Sequence, residues 1–364
     1  MSAIRKIAVA FGTRPEIIKL SPVIRALEKA AKSQKSRRIS FFIIHSNQHY
    51  DKNMDAVFLS ELKLPKAKYN LKIGSALHGE MTGKMIIEAE KIFLKEKPDL
   101  LVVQGDTNTV LAMALAATKL HIPIAHVEAG LRSYTNIPEE TNRILTDKIS
   151  DFLFAPTQKQ KDILIKEGID KKKIFVVGNT VVDAVFQNLK IAEKLKKKTI
   201  KLVPKKYFLI TAHRQENVDN RINLKNIINA LSSVQKKYGL EAVFPLHPRT
   251  KKCLNEFKIT VPENIKIIPP IGYLEMLCLM KNARLIITDS GGIQEEACTL
   301  RVPCVTMRES TERPETVEVG GNVIAGTDTQ KIIKAASLIL KKKINWRNPF
   351  GNGKTGQKII KILT

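Results

Sequence analysis

Short runs of apolar residues alternate with longer segments of helical periodicity along the whole chain. The runs are unbroken, as in Leu100–Val103, which is typical of strands buried on both faces of a parallel sheet. The segments between them are amphipathic, as in Ile17–Ala31 and Thr109–Leu120. This alternation predicts parallel sheets that helices cover on both faces.

The predicted strands fall into two series. The first series is Lys6–Ala10, Ser40–His45, Leu100–Val103, Ile124–Val127, Phe152–Ala155 and Ile174–Val177. The second series is Tyr207–Thr211, Ala242–Leu246, Ile265–Ile268, Leu285–Thr288, Cys304–Met307 and Asn322–Ile324. Two series of about six strands predict an α/β fold with two doubly wound domains.

The boundary between the two domains is predicted within Gln187–Lys206, a charged stretch without aromatic residues. A helix is expected to begin near Thr180 and to lead into this linker. We therefore expect one domain over residues 1–180 and the other over residues 181–349. The tail from Asn348, with Pro349, Gly351 and Gly353, is predicted to be a loop before a short last helix.

Composition places the chain among ordinary globular proteins, because 43% of its residues are hydrophobic. No apolar run reaches the roughly 18 residues of a membrane span, and the first apolar run is too short for a signal peptide. The sequence holds four cysteines without C-x-x-C or zinc-type spacing: Cys253, Cys278, Cys298 and Cys304. Reduced thiols, no metal site and a cytoplasmic location are expected.

The formal net charge of +26 raises nucleic-acid or anionic-membrane binding as an alternative. The lysines are scattered over the helices and cluster only at Lys194–Lys206 and Lys341–Lys343. Aromatic residues make up 5% of the chain, and no basic stretch interleaves them. A solvated lysine-rich surface is therefore favoured, with neither nucleic-acid binding nor membrane insertion as the main function.

Ligands of open parallel sheets bind at the carboxyl ends of the strands, so residues directly after each strand carry most information. After the first strand, Thr13 and Glu16 have the spacing of a capping box, and Pro15 suits a first helical turn. Arg14 then lies at a helix N-terminus, and Lys19 follows about one turn later. Two cations and a helix dipole make a phosphate site a reasonable hypothesis.

Acidic residues follow the next two strands. Asp106 comes after Leu100–Val103, and Glu128 comes directly after Ile124–Val127. Glu139 and Glu140 open the next predicted helix. Helix capping and a favourable helix dipole would explain Asp106 and the glutamate pair without any catalytic role. Clustered carboxylates can also have their pKa values pushed apart, and one then acts as an acid and another as a base.

The second half repeats this arrangement with histidines. His213 follows Tyr207–Thr211, and His247 and Arg249 follow the next strand. A single histidine is usually structural, whereas two histidines with arginines at successive strand ends favour a site.

A strand also runs into Ser290-Gly291-Gly292 and then into a helix. The glycines let backbone N–H groups approach an anion at the helix N-terminus, although a tight turn alone would also explain them. Glu296, one turn further on, could accept hydrogen bonds from ribose hydroxyl groups. Arg308 and Arg313 follow the next strand. The chain has neither G-x-G-x-x-G nor a P-loop motif, which disfavours a nicotinamide cofactor or an ATPase.

Taken in order, these motifs resemble those of the non-hydrolysing UDP-N-acetylglucosamine 2-epimerases. Their sequences are most similar to those of archaeal members. The matching segments are Gly12–Glu16, Gly105–Thr107, His126–Arg132, Pro138–Arg143, Ala212–Arg214, Asp289–Glu296 and Thr311–Glu315. They are spread over nearly the full length of the chain.

The resemblance implies two Rossmann-like domains that face a cleft, in the glycosyltransferase-B arrangement. A last helix over about residues 350–364 would cross back to the first domain. It also implies a homodimer and a reaction without an added cofactor, in which UDP-N-acetylglucosamine becomes UDP-N-acetylmannosamine. UDP is eliminated to give 2-acetamidoglucal and then adds back with the opposite configuration at C2.

The family pattern also implies roles for individual residues. The acid/base candidates are Asp106, Glu128 and Glu139, with the C2 base left open among them, and His213 would stabilise or protonate the leaving UDP. The residues expected to bind the substrate are Arg14, Lys19, Ser290, Gly291, Gly292 and Arg313 at the diphosphate and Glu296 at the ribose.

Many bacterial members of this family are activated by a second UDP-N-acetylglucosamine beside the active site. The residues that match this allosteric site are Gln48, His49, Arg214 and His247. Tyr50 and Asp51 differ from the bacterial segment, and the stretch Ile73–His78 lacks the arginine expected there. Allosteric activation is therefore a hypothesis only.

Four alternatives remain. The first alternative is a 2-epimerase of UDP-2,3-diacetamido-glucuronic acid, which shares most of the motifs. Such enzymes tend to lack the residues that correspond to Arg313-Pro314 and to Thr13 and Glu16, and this chain has both. A hydrolysing 2-epimerase would use the same acids and differ in water access. A glycosyltransferase of this architecture would not need so many acids in the first domain. A polyanion-binding protein without activity would not need to retain every expected acid and histidine.

Overall fold

The computed structural model describes residues 4–33, 39–47, 54–134, 136–194 and 202–364, with backbone only at residues 54–56. The chain divides into two compact units. Unit 1 comprises Met1–Ala184 and Phe350–Thr364, and unit 2 comprises Val185–Pro349.

Unit 1 is built on a parallel sheet, in which seven strands are described. The strands are β1 (Lys6–Phe11), β2 (Ser40–His45), β3 (Tyr69–Asn70), β4 (Leu100–Gln104), β5 (Ile124–Val127), β6 (Phe152–Ala155) and β7 (Ile174–Val176). Their order in the sheet is β3-β2-β1-β4-β5-β6-β7. The order changes direction at β1 and β4, which pair in parallel, and ligands of doubly wound sheets bind at such a point.

The helices of unit 1 lie on both sides of this sheet. They are α1 (Arg14–Ala31), α2 (Met54–Glu61), α3 (His78–Glu96), α4 (Asn108–Lys119), α5 (Pro138–Ile149) and α6 (Gln158–Lys166). The helix α7 (Thr180–Lys194) begins in unit 1 and continues into unit 2. All five residues of β4 are buried, as expected for a central strand covered on both faces.

Unit 2 is likewise built on a parallel sheet, in which six strands are described. These strands are β8 (Tyr207–Thr211), β9 (Glu241–Pro245), β10 (Ile265–Ile268), β11 (Leu285–Thr288), β12 (Cys304–Thr306) and β13 (Asn322–Ile324). Their order is β10-β9-β8-β11-β12-β13, and every pairing is parallel. Its helices are α8 (Gln215–Val218), α9 (Arg221–Tyr238), α10 (Pro248–Glu256), α11 (Tyr273–Asn282), α12 (Gly291–Thr299), α13 (Pro314–Glu318) and α14 (Thr329–Lys341).

All twelve predicted strands are present, within one residue at each end. The prediction of six strands in the first half was wrong by one, because β3 has only two residues and no apolar run to reveal it. The first helix begins at Arg14 rather than Ile17, because the predicted capping box of Thr13 and Glu16 is formed there. None of the helices within the described ranges is long and apolar enough to cross a bilayer.

The last helix, α15 (Thr355–Leu363), belongs to unit 1 and packs against α1. The carboxylate of Asp183 accepts hydrogen bonds from the backbone N–H groups of Thr355 and Gly356, at 3.1 and 3.0 Å. Burial raises the pKa of Asp183 against these hydrogen bonds. The carboxylate thus caps the two free N–H groups that open α15.

Replacing Gly356 with alanine is expected to destabilise unit 1. A Cβ atom at Gly356 would lie 2.6 Å from the carbonyl oxygen of Pro22 in α1, and a backbone atom cannot move aside cheaply. We expect the free energy of unfolding to fall by about 1–3 kcal/mol. The matched control is Gly83→Ala in α3, where nothing lies within 4 Å of the new Cβ and alanine favours the helix. Calorimetric melting temperatures that rise equally in both variants would contradict the proposed clash.

Candidate functional site

The loop between β1 and α1 lies at the carboxyl edge of the unit 1 sheet. Arg14 is the first residue of α1, is exposed, and lies over the ring of Phe58 at 5.7 Å. Glu16 is buried and accepts hydrogen bonds from Gly12 N, Thr13 N and Thr13 Oγ1, at 3.1, 2.8 and 2.8 Å. The buried carboxyl group therefore fixes the loop that presents Arg14.

Glu16 also joins this loop to the one after β4. Its second oxygen accepts a hydrogen bond from Thr107 Oγ1 at 3.0 Å, and Thr107 follows Asp106 directly. Burial raises the pKa of Glu16 to about 7, against four hydrogen bonds that lower it. Glu16 thus connects the loop of Arg14, which is expected to bind phosphate, to the loop of Asp106, which is a candidate acid.

We expect Glu16→Gln to change how stability depends on pH. A carboxyl group whose pKa rises on folding, here from 4.5 to about 7, keeps its proton in the folded state over that interval. Stability is therefore lost as pH rises from about 4.5 to 7. Relative to the variant, the wild type should lose about 3 kcal/mol between about pH 4 and pH 8 in denaturant titrations. Glu28→Gln in the same helix controls for removing a carboxylate, and a flat difference would contradict the prediction.

Glu128 is the centre of a buried polar cluster after β5. Lys19 Nζ donates to both of its carboxylate oxygens, at 2.6 and 2.7 Å. Asn179 Nδ2 donates to the same carboxylate at 3.2 Å, and Gln104 Nε2, at the end of β4, donates to it as well. Glu128 has a backbone φ of 69°, a left-handed conformation that is strained for a residue with a side chain. The sequence-predicted Lys19 thus binds a candidate acid.

Asp106 is held by side chains of α5, the helix that follows β5. Arg143 of α5 donates to Asp106 Oδ2 through Nε at 2.8 Å and lies 2.6 Å from it through its terminal nitrogen. Asn142 Nδ2 donates to the backbone carbonyl of Asp106 at 2.9 Å. The proposed alternative of Asp106 as a helix cap does not apply, because Thr107 is the N-cap of α4.

The neighbouring glutamates at the start of α5 have different surroundings. Glu140 is buried and accepts hydrogen bonds from Ser133 N, Ser133 Oγ, Tyr134 N and Arg143. Glu139 is exposed, and within the described parts of the chain no hydrogen bond or ion pair is formed by its carboxylate. Only Glu139 of this pair can meet a ligand without breaking existing contacts.

A surface cavity of about 570 Å³ lies beside these residues in unit 1. It is bordered by the first turns of α3, by Asn108 and by the start of α5. Asn108 links these walls, because its side chain lies 3.0 Å from His78 Nδ1 and accepts a hydrogen bond from Asn142 at 3.3 Å.

In unit 2, His213 follows β8, and its ring lies 5.3 Å from that of His247. Asp289, fully buried at the end of β11, accepts hydrogen bonds from the backbone of His213 and Arg214 through Oδ2, both at 2.9 Å. Its Oδ1 is buried without a hydrogen-bond partner among the described residues and lies 3.6 Å from His213 Nδ1. This carboxylate is placed to orient the histidine ring.

The Ser290-Gly291-Gly292 turn opens α12, with Ser290 as N-cap. The side chain of Ser290 caps no backbone group, and Gly292 is exposed. Glu296 lies on the same helix and is mostly buried. The helix dipole and the backbone N–H groups of this first turn form a suitable environment for an anion.

The two arginines after β12 are both paired with acids. Arg308 binds Glu312 through two hydrogen bonds of 2.8 Å, and the pair lowers the pKa of Glu312 to about 2 against the effect of burial. Arg313 Nε lies 2.6 Å from the buried carboxylate of Glu295. Glu295 thus fixes the direction of a guanidinium group that can bind a phosphate through its other nitrogens.

The residues of the allosteric hypothesis are only partly described. Gln48 and His49 lie outside the described residues. Arg214 is the N-cap of α8, and its side chain lies 3.8 Å from Glu216. His247 is the N-cap of α10, and its Nδ1 accepts a hydrogen bond from Arg249 N at 3.2 Å. Burial, with the nearby His213, lowers the pKa of His247, so this ring is neutral around pH 7.

Sequence reasoning missed several residues that hold the candidate acids, His213 and Arg313 in place. They are Gln104, Asn142, Arg143, Asn179, Asp289 and Glu295. Arg143 and Asn142 stand inside a quoted motif, and Gln104 ends a predicted strand, so their positions carried a signal. Asp289 and Glu295 also stand inside a quoted motif, whereas Asn179 carried no signal, because its partner Glu128 is 51 residues away in sequence.

The chain is similar to known proteins over nearly its full length. The UDP-N-acetylglucosamine 2-epimerase family model matches residues 31–364. A UDP-N-acetylglucosamine 2-epimerase of Methanocaldococcus jannaschii is 59% identical over 370 residues, covering 99% of each chain. A crystal structure of the UDP-GlcNAc 2-epimerase from that organism, in complex with UDP-GlcNAc and UDP, has a TM-score of 0.87 at 58% identity and covers 98% of this chain and 99% of that chain. A UDP-2,3-diacetamido-2,3-dideoxy-D-glucuronate 2-epimerase of Pseudomonas aeruginosa is 41% identical, covering 98% of this chain and 99% of its own.

Proposed function

This chain belongs to the UDP-N-acetylglucosamine 2-epimerase family, and from that premise we propose that it interconverts UDP-N-acetylglucosamine and UDP-N-acetylmannosamine by inverting C2 of the sugar. The observation that carries this proposal is the position of three acids on the carboxyl side of the unit 1 sheet: Asp106 after β4, Glu128 after β5 and Glu139 at the start of α5. Inversion through elimination requires a base and an acid for one carbon, and carboxylates in different surroundings can supply both.

The proposed reaction has two balanced half-reactions. A carboxylate removes the C2 proton while the C1–O bond breaks, and the electron pair of that bond leaves with UDP. The product is 2-acetamidoglucal, with a double bond between C1 and C2. UDP then adds back to C1 through a phosphate oxygen, and an acid delivers a proton to the opposite face of C2. No electrons are gained or lost overall, so the proposal includes no cofactor.

The three candidate catalytic acids of unit 1 have different surroundings, which supports different roles for them as acid and as base. Glu128 is buried against Lys19, Asp106 is bound by Arg143, and Glu139 is exposed without an ion pair within the described ranges. The C2 base is one of these three. We assign Lys19 the role of orienting Glu128 in addition to its predicted contact with the diphosphate.

The nucleotide is proposed to bind unit 2. The first turn of α12, with Ser290, Gly291 and Gly292, would hold the diphosphate together with Arg313. Glu296 would accept hydrogen bonds from the ribose hydroxyl groups. His213, oriented by Asp289, would stabilise the negative charge that develops on the departing UDP.

The test is proton NMR of the purified protein with UDP-N-acetylglucosamine in D2O. Appearance of UDP-N-acetylmannosamine, with deuterium at C2 of both nucleotide sugars, is the expected result. Accumulation of free sugar and UDP would show a hydrolysing enzyme instead. Turnover only of UDP-2,3-diacetamido-glucuronic acid would assign the substrate of the 41% identical Pseudomonas relative. The 59% identity to an enzyme named for UDP-N-acetylglucosamine favours the simpler sugar.

We further propose that the protein is a cytoplasmic homodimer. The compartment is supported by four free thiols, three of which are buried. For the dimer, α3 exposes Ile87 and Leu94, which lie two turns apart on one face of the helix at 55% and 58% exposure. Light scattering after size exclusion should give twice the chain mass of 40.8 kDa.

The allosteric hypothesis stays a proposal that kinetics can test. If Arg214 and His247 bind a second UDP-N-acetylglucosamine with Gln48 and His49, turnover of UDP-N-acetylmannosamine should begin after a lag. A trace of UDP-N-acetylglucosamine should abolish that lag. Turnover that starts at once and a linear dependence of rate on low substrate concentration would exclude activation.

A further inference from the structure

We infer that His126 is a doubly protonated positioning residue, which holds the loop of Asp106 through the carbonyl group of Gly105. His126 lies in β5, is almost fully buried, and has no part in the proposed reaction. The positioning role rests on the proposed function of Asp106. The charge of the ring does not rest on it and can be tested separately.

Both ring nitrogens of His126 face hydrogen-bond acceptors. Nε2 lies 2.8 Å from the carbonyl oxygen of Gly105, and a carbonyl oxygen can only accept. Nδ1 lies 2.7 Å from Asp147 Oδ1. The other oxygen of Asp147 accepts from Gly130 N at 3.2 Å and lies 2.8 Å from Arg132, so this side chain is a carboxylate. A neutral imidazole has one N–H and would leave one of these short contacts without a proton.

The surroundings of His126 tolerate a buried cation. Asp147 comes from α5, Arg132 from the loop after β5, and Glu167 from the end of α6, where it forms two hydrogen bonds with Arg132 at 2.8 and 2.6 Å. Two cations and two carboxylates therefore form a neutral group, which lessens the cost of burying each charge. Burial lowers the pKa of His126, but the hydrogen bond and charge of Asp147 outweigh it, and the pKa is raised.

The hydrogen bond from His126 acts on the carbonyl group of Gly105, which belongs to the peptide group that joins Gly105 to Asp106. Gly105 has a φ of 84°, a conformation that glycine adopts without strain. Asp106 is anchored on its far side by Asn142 and Arg143, both from α5. On the near side, Gly105 N donates to the carbonyl oxygen of Val127 at 3.2 Å, and His126 supplies a second anchor at the carbonyl group of Gly105. A displacement of about 1 Å in a reacting group can cost about 100-fold in rate, so this anchor affects how Asp106 meets the substrate.

The charge is tested on the wild-type protein by nitrogen-15 NMR of labelled histidine rings. The sequence contains seven histidines, and the His126 signals are assigned by their loss in His126→Gln. We expect both His126 nitrogens to carry protons at pH 7 and to titrate above the ordinary value of 6.5. Asp147→Asn should lower that pKa. A single protonated nitrogen at pH 7 would overturn the inference, whether or not the protein is an epimerase.

The positioning role is tested by steady-state kinetics of two folded variants. His126→Leu removes both N–H donors and is expected to lower kcat by about 10–100-fold while KM changes less than about threefold. His126→Gln can still donate one N–H to Gly105 and should recover part of the loss. The kcat of the wild type should fall as pH rises through the pKa of His126, a step that both variants lack. Full kcat in folded His126→Leu would overturn the role, whereas an inactive wild type would instead refute the proposed function.

Discussion

Replacing Glu139 with glutamine is expected to lower kcat by about 10²–10⁴-fold and to leave the stability unchanged. The side chain is exposed at the first turn of α5 and makes no ion pair in the described parts of the chain. Glutamine has the same shape and keeps a hydrogen-bond acceptor, but it cannot take or give a proton at neutral pH. The measurements are the exchange of C2 hydrogen for deuterium by NMR and the melting temperature.

The next residue along the chain provides the matched control. Glu140 is buried, and its carboxylate accepts hydrogen bonds from Ser133, Tyr134 and Arg143. Glu140→Gln should therefore reduce the free energy of unfolding by about 1–3 kcal/mol, because a buried donor loses its partner. Full exchange activity in Glu139→Gln would remove Glu139 from the acid/base set. Equal destabilisation of both variants would mean that their surroundings do not differ as described.

Replacing His213 with asparagine is expected to slow epimerisation by about 10²–10⁴-fold, while UDP still binds. His213 is partly exposed, and its Nδ1 faces the buried Oδ1 of Asp289. The oriented ring can therefore donate a hydrogen bond to UDP as negative charge develops on it, and we expect it to contribute little to binding in the ground state. The dissociation constant of UDP, measured by calorimetry, should change less than about threefold, which separates a chemical role from a binding role.

His121→Asn is the control for this variant. His121 is exposed in the turn before β5, away from the carboxyl ends of the strands, and its φ of 56° is one that asparagine adopts readily. It should retain full activity. If His213→Asn lowers the affinity for UDP as much as it lowers kcat, the histidine binds the nucleotide and does not assist its departure.

The strands and their approximate bounds could be predicted because a buried parallel strand is an unbroken apolar run. β4 shows this clearly, since every one of its residues is buried. The short β3 could not be predicted, because two residues at a sheet edge need no apolar run. The start of α1 was predictable for a local reason, as Thr13 and Glu16 satisfy each other within one turn.

The candidate acids could be predicted from their places after strands, but their partners could not. Lys19 and Glu128 are 109 residues apart, and Asp106 and Arg143 are 37 apart. Such pairings depend on the order of strands in the sheet and on the side from which each helix packs. Neither follows from spacing along one sequence, so the difference between the exposed Glu139 and the paired Asp106 became visible only in three dimensions.

The packing of α15 against α1 affects the order in which the two units can fold during synthesis. Unit 2 is formed by one continuous stretch, Val185–Pro349, whereas unit 1 needs both Met1–Ala184 and Phe350–Thr364. During synthesis the ribosome therefore releases everything that unit 2 requires before the last piece of unit 1 emerges. The face of α1 that receives α15, around Pro22, stays uncovered until then, although α1 is made first. Unit 1, whose first strand is synthesised before any part of unit 2, is thus the later of the two units to complete its fold.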